Sequence, residues 1–257
     1  MLAVSNLGKR LPDGTQLLHD INFEVTPGEF VALLGPSGAG KSLTLRCILG
    51  LTQADAGTAM FTNRDGVSVD LVQLKGRQRL RARRRIGVIF QGANLVKRLR
   101  VIENVMIGRL GYTSPWRTWT YGFTDTEAFS ALEALDQVGM ADYASRYTGS
   151  LSGGEMQRVA ITRAIYQQPD IFLADEPISS LDPANAEAIM QLLAPLAREK
   201  PVLGVFHQPS VVAKFCSRVI AMRSGTIIYS GTPQLSDDTR LTIYGGELDE
   251  ASAGAIG

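Results

Sequence analysis

A chain of 257 residues with 45% hydrophobic side chains can fill a sizeable core, which excludes a disordered protein. Its formal net charge of +1 recommends neither nucleic acid nor an anionic membrane as partner, and Cys47 and Cys216 stand in no metal-binding or redox spacing, as expected of buried thiols in a reducing compartment. No apolar run approaches the roughly 18 residues that span a bilayer, and Lys9, Arg10, Asp13 and Asp20 break up the N-terminus, so the chain reads as soluble and without a signal peptide.

In chain order, strand patterns occur at 21–25, 30–34, 86–90, 171–174, 202–206, 218–222 and 226–229, with helical patterns between several of them. This predicts an α/β body on a mainly parallel sheet. The stretch 96–147 differs: Phe129, Leu132, Leu135 and Val138 recur three apart, so it is expected to be an inserted helical subdomain. The expected organisation is one domain over 1–257, with a core from 1–95 and 148–235 and a polar tail, 236–257, that frays.

The strand at 30–34 leads into Gly35-Pro36-Ser37-Gly38-Ala39-Gly40-Lys41-Ser42, a complete Gly-x-x-x-x-Gly-Lys-Ser loop, followed by the helical pattern Leu43, Leu45, Ile48 and Leu49. The glycines let backbone N–H groups face phosphate oxygens at a helix N-terminus. Lys41 is expected to reach the β- and γ-phosphates of a nucleoside triphosphate, and Ser42 to ligate Mg²⁺. A plain glycine turn is the simpler alternative, but strand, loop, Lys-Ser and helix occur together. Residues 171–176 form an apolar strand ending in Asp175 and Glu176. Alone these acids read as a solvated loop; beside a phosphate loop they suit a metal-organising Asp175 and a Glu176 that activates water.

The segment Leu151-Ser-Gly-Gly-Glu-Met-Gln-Arg158 resembles the signature of ABC ATPases, although Ser152 and Glu155 also match a helix capping box by themselves. Other positions resemble the same family in order: Gln91 the glutamine that senses metal and water, Asp182 the inter-subunit acid, and His207 the switch histidine. The resemblance covers about residues 3–233. It implies an α/β P-loop NTPase core with a mainly parallel sheet, an antiparallel β subdomain and an inserted helical subdomain. It also implies a homodimer sandwiching ATP and Mg²⁺, with Ser152, Gly153 and Gly154 closing over the nucleotide of the opposite subunit. The implied metal ligands are Ser42, Gln91 and Asp175, and the catalytic residues Glu176, His207 and Gln91. Two departures stand out. Glu155 replaces the common glutamine, and Leu11 stands where many members have an aromatic ring for adenine.

More narrowly, Leu74–Arg77, Gly92–Leu99, Gly108–Thr113 with Trp116-Arg117, Ala174–Ile178 and His207-Gln208 resemble the ATPase subunit of phosphonate importers. That branch implies ATP hydrolysis driving import of phosphonate or a related reduced-phosphorus oxyanion. The implied partners are a separate membrane permease and an extracytoplasmic substrate-binding protein, with the chain peripheral at the cytoplasmic face of the inner membrane. The rival reading is an ATPase of the same type regulating a non-transport envelope complex. Seven basic residues and no acid lie between Lys75 and Arg85. With no aromatic interleaved they read as a solvated helix, not a nucleic-acid patch. The cluster Tyr112, Trp116, Trp119, Tyr121 and Phe123 is either a subdomain core or a pocket for the permease.

Overall fold

The computed structural model describes residues 1–113 and 123–245. Its centre is a six-stranded sheet formed by β3 (Phe30–Leu34), β6 (Ile86–Ile89), β7 (Ile171–Asp175), β8 (Val202–Val205), β9 (Arg218–Arg223) and β10 (Thr226–Gly231), in the order β10-β9-β3-β8-β7-β6. All neighbours pair parallel except β10, which returns antiparallel on β9. The run Phe-Val-Ala-Leu-Leu of β3 is buried at every position, because helices or a second sheet cover both faces of this sheet.

A four-stranded antiparallel sheet consists of β1 (Leu2–Arg10), β2 (Gln16–Val25), β4 (Ala56–Thr62) and β5 (Ser68–Asp70), in the order β2-β1-β4-β5. Between the two sheets lies α1 (Lys41–Ile48), whose Leu45, Cys47 and Ile48 join one core with Leu2, Leu18 and Phe61. The opposite face of the central sheet is covered by α5 (Gly153–Tyr166), α6 (Pro183–Leu193), α7 (Pro209–Phe215) and α8 (Asp237–Tyr244). There Phe30 meets Phe206 edge-on at 5.9 Å between ring centres. A third cluster joins α3 (Val101–Met106), α4 (Asp125–Asp136) and one face of α5.

The antiparallel sheet answers the fold implied by the family resemblance, although β1, β4 and β5 carry no strand pattern among those expected. Helix α2 (Gly76–Arg84) forms over the basic run, and it is more than a solvated surface helix. Arg83 donates to Leu49 O and Gly50 O, and Arg79 to Gly50 O, so two guanidiniums satisfy carbonyls at the C-terminal end of α1.

One expectation is refined and one is corrected. The three-residue spacing marks α4 as helical, and of its four residues Leu135 and Val138 are buried while Phe129 and Leu132 are exposed. Ala131 and Ala134 share the buried face with Leu135. The tail expected to fray from Ser236 is helical over Asp237–Tyr244. Ser236 caps that helix by accepting from Thr239 N–H, and Ile243 is fully buried against the central sheet's cluster. Residues 246–257 lie outside the described residues. Both cysteines are buried free thiols, pushed up by desolvation to about 11 for Cys47 and about 12 for Cys216. No helix among the described residues is long and apolar enough to cross a membrane.

If α8 belongs to the core, we predict that Ile243→Ala lowers stability by about 2–5 kcal/mol. Thermal unfolding of the full chain checks this, and an unchanged midpoint would show that α8 docks without contributing.

Candidate functional site

Four parallel strands end at one edge of the central sheet, and the residues just beyond them form the site. β3 leads into Gly35, β6 through Phe90 to Gln91, β7 ends at Asp175 before Glu176, and β8 leads through Phe206 to His207. Open α/β sheets bind ligands at this carboxyl edge.

The loop after β3 needs its glycines for stated reasons. Gly35 has φ +145°, and a Cβ there would run into the Met222 carbonyl on β9. Gly40 has φ +98° and its added Cβ would lie 2.7 Å from Leu18, so the loop is pressed against both sheets. Lys41 opens α1 and is only 4% exposed. Its Nζ donates to Gly35 O at 2.7 Å and Pro36 O at 2.8 Å, bridging the loop's own entrance. Desolvation lowers its pKa, opposed by the nearby charges of Glu176 and Asp175. A cleft of about 320 Å³ is lined by Leu17, Ser37, Gly38, Ala39, Gly40, Lys41, Ser42, Leu43, Glu176 and His207.

On the far wall Glu176 Oε1 and His207 Nε2 are 2.6 Å apart. Glu176 has φ +50°, a left-handed conformation that costs a non-glycine residue about 1–2 kcal/mol and is maintained by its surroundings. Asp175 Oδ1 is buried with no hydrogen-bond partner among the described residues. An orphaned carboxylate oxygen at the strand end next to the phosphate loop is a hard oxygen donor of the kind that fits Mg²⁺. No three His, Cys, Asp or Glu side chains converge on a metal position among the described residues, so a cation here would draw its other ligands from nucleotide and water.

The structure does not bring every expected residue into this cleft. Ser152 and Gly153 lie exposed at the start of α5, and none of Ser152, Gly153, Gly154 and Asp182 lines the cleft. The Ser152 capping box forms. Glu155 Oε2 accepts from Ser152 N–H at 2.7 Å and from its hydroxyl at 2.8 Å, bonds that hold the Glu155 carboxyl below its usual range. Gly154 packs on Asn185, where an added Cβ would be 2.7 Å from Oδ1. Asp182 caps α6, accepting from Asn185 N–H and Nδ2, with Pro183 as the first helical residue.

Three residues that no motif marked also bear on the site. Leu17 lines the cleft, whereas Leu11, on the same β1–β2 hairpin, is 41% exposed. Ser179 accepts from Gln91 Nε2 at 3.1 Å. Arg163, on α5, donates to Asn94 O and Ala93 O just beyond Gln91. Arg163 also lines a second groove of about 340 Å³, between the core and the Ile107–Tyr112 turn, with Leu49, Leu51, Arg83, Ile86, Val88, Phe90, Ile107 and Gly108 among its walls. Of the aromatic cluster, Tyr112 lies beside Arg84 and Arg109 and donates to Arg84 O, and Phe123 packs on the helical cluster. Trp116, Trp119 and Tyr121 lie outside the described residues.

A phosphate loop on β3, with two acids ending β7 and a histidine ending β8, defines a P-loop nucleotide hydrolase. Residues 18–179 match the family model described as ABC transporter. The chain is 45% identical to the phosphonates import ATP-binding protein of Nitratidesulfovibrio vulgaris over 96% of its length and 92% of that protein's. It is 41% identical to one such protein of Ruegeria sp. (strain TM1040), with both chains fully covered. Among solved structures, the dimeric cassette MJ0796 bound to ADP and Pi superposes with a TM-score of 0.76 at 31% identity, covering 92% of this chain and all of that one. The chain therefore belongs to the ABC transporter family, as an ATP-hydrolysing cassette.

The exposed Leu11 on the hairpin that carries Leu17 generates a binding prediction. Leu11→Tyr is expected to tighten ATP binding by about 1 kcal/mol in calorimetry, with GTP measured alongside. Unchanged affinity for both nucleotides would place the base away from this position.

Proposed function

We propose that this chain is the ATPase subunit of an importer for phosphonate or a related reduced-phosphorus oxyanion, working as a homodimer on a separate membrane permease served by an extracytoplasmic binding protein. The near full-length likeness to phosphonates import ATP-binding proteins carries this reading. In it, residues 1–95 and 148–235 form the ATPase core and 96–147 the helical arm, peripheral at the cytoplasmic membrane face.

The separation of Ser152 from the phosphate cleft supports the dimer. Exposed N–H groups at the start of a capped helix attract anionic groups, and in a two-fold dimer they would approach the partner's nucleotide. The family member MJ0796 is dimeric. Asp182, on the turn before α6, would face the same interface.

In this reading the phosphate loop N–H groups and Lys41 bind the triphosphate and neutralise its charge. Ser42, Asp175 and Gln91 would hold Mg²⁺, which withdraws charge from the phosphate oxygens. Glu176 takes a proton from water as the water oxygen bonds to the γ-phosphorus and the bond to the β–γ bridging oxygen breaks, giving ADP and phosphate. His207 holds the Glu176 carboxylate in position. Loss of the γ-phosphate contacts from both chains reopens the dimer. The permease would dock in the apolar groove formed by Leu51, Val88, Phe90 and Ile107, whose wall ends one residue before Gln91. Tyr112 closes the Ile107–Tyr112 turn beside it.

Glu176→Gln is expected to keep ATP binding while stopping turnover, leaving an ATP-bound dimer in size-exclusion chromatography. Lys41→Ala is expected to lose nucleotide binding. Hydrolysis by the Glu176 variant at the wild-type rate would remove Glu176 from the role of base. For docking, the 52% exposed Leu51 is the probe: Leu51→Arg should abolish co-purification with the permease, because a guanidinium would enter the apolar wall. Retained co-purification would move the permease to another surface.

A further inference from the structure

Glu176 sits in a left-handed backbone conformation, so whatever holds its peptide also aims its carboxylate. His207 meets the carboxylate at its tip. The backbone end is held by Ser179. The Ser179 hydroxyl donates to the Glu176 carbonyl at 3.2 Å, and Ser179 N–H donates to the same oxygen at 3.4 Å. That hydroxyl oxygen also accepts from Gln91 Nε2 at 3.1 Å. One hydroxyl thus joins the peptide of Glu176, which follows β7, to the side chain that follows β6.

The other end of the Gln91 segment is also tied down. Ala93 and Asn94 both have positive φ, at 62° and 51°, and Arg163 donates to both of their carbonyls. Desolvation lowers the pKa of that guanidinium, and among the described residues no acid forms a salt bridge with it. Phe90, immediately before Gln91, lines the apolar groove between the core and the Ile107–Tyr112 turn. The segment is therefore held by Arg163 on one side and reaches Ser179 through the Gln91 side chain on the other.

We propose that Ser179 is a positioning residue for ATP hydrolysis, linking Gln91 to the Glu176 peptide so that movement of the docking groove re-aims the Glu176 carboxylate. The proposal rests on Glu176 activating the water, as read above. It does not make Ser179 a catalytic residue, because the hydroxyl is occupied by Glu176 O and Gln91. It also differs from a stabilising role. Ser179 and Gln91 are both exposed, so water replaces the bonds that a truncation removes and the fold loses little.

The test uses steady-state ATPase measurements on the full chain. Ser179→Ala is expected to lower kcat roughly tenfold through misdirection of Glu176, with KM for ATP and the melting temperature unchanged. Ser179→Thr, which keeps the hydroxyl at an exposed position, should restore most of the rate. In a double-mutant cycle with Gln91→Ala the two losses should be less than additive, because either change cuts the same link. Additive losses, a lowered melting temperature, or equal defects in the Ala and Thr variants would overturn the proposal. Glu176→Gln is run in parallel. If it is inactive while Ser179→Ala keeps the wild-type kcat, the positioning role alone falls. If Glu176→Gln hydrolyses ATP normally, the assignment of the base falls first.

Discussion

The site depends on keeping a lysine ammonium charged at 4% exposure with no salt bridge to it among the described residues. Removal from water disfavours the charge, as its lowered pKa records, and three arrangements offset that cost. The Gly35 and Pro36 carbonyls accept hydrogen bonds from two of its three N–H groups. The carboxylates of Asp175 and Glu176 act on it through space from the end of β7. The β3–α1 loop itself is held between two sheets, with Gly35 under Met222 and Gly40 under Leu18. A triphosphate is the ligand class that supplies several negative oxygens to this one desolvated cation. The sheet order β3-β8-β7-β6 follows from the same need, because it places the lysine, both acids, the histidine and the glutamine at a single edge.

Legibility in the sequence followed the locality of the cause. The phosphate loop, the acids ending β7, the Ser152 capping box and the Asp182 cap were readable because each lies within a few consecutive residues. The buried strands β3, β7 and β8 were readable because both faces are covered and every position except the terminal Asp175 of β7 is apolar. β1 was not. Its alternation is broken where Asn6 takes φ +53° and the register with β2 shifts, so Leu7 and Gly8 fall out of phase with Leu2 and Val4. β4 reads Ala-Gly-Thr-Ala-Met-Phe-Thr, with only Ala59 and Phe61 buried.

On α4 the large residues were only half reliable as markers of the buried face, since Leu135 is buried and Phe129 and Leu132 are exposed. The rest of the contact face is made by Ala131 and Ala134, and apolar size alone cannot say which stripe faces inward. The tail failed for the opposite reason. A polar segment can fold when two residues, here Ile243 and Tyr244, find an apolar site already built by the sheet, and no local pattern reports that site.

Ser179 and Arg163 belong to a class that motif reading does not reach. Each is an ordinary polar residue, Ser179 on a turn and Arg163 on a helix, and its importance arises only when folding brings another segment to it. Ser179 follows Glu176 by three residues, which makes the turn hydrogen bond local, yet its bond to Gln91 spans 88 positions. Arg163 reaches Ala93 and Asn94 across a comparable separation. The two bonds share a physical logic. The residues after β6 take left-handed backbone conformations at Ala93 and Asn94, and such conformations persist only where tertiary partners determine them. Helix α5 supplies one partner from near its C-terminal end, while its N-terminal end carries Ser152. A helix of 14 residues thereby ties the segment beside the Phe90 groove to the Ser152 end, the surface proposed to face a second subunit. Ser179 supplies the other partner and ties the same segment to the Glu176 peptide. The segment that follows β6 is thus joined both to helix α5 and to the Glu176 peptide, with the Gln91 side chain making the second connection.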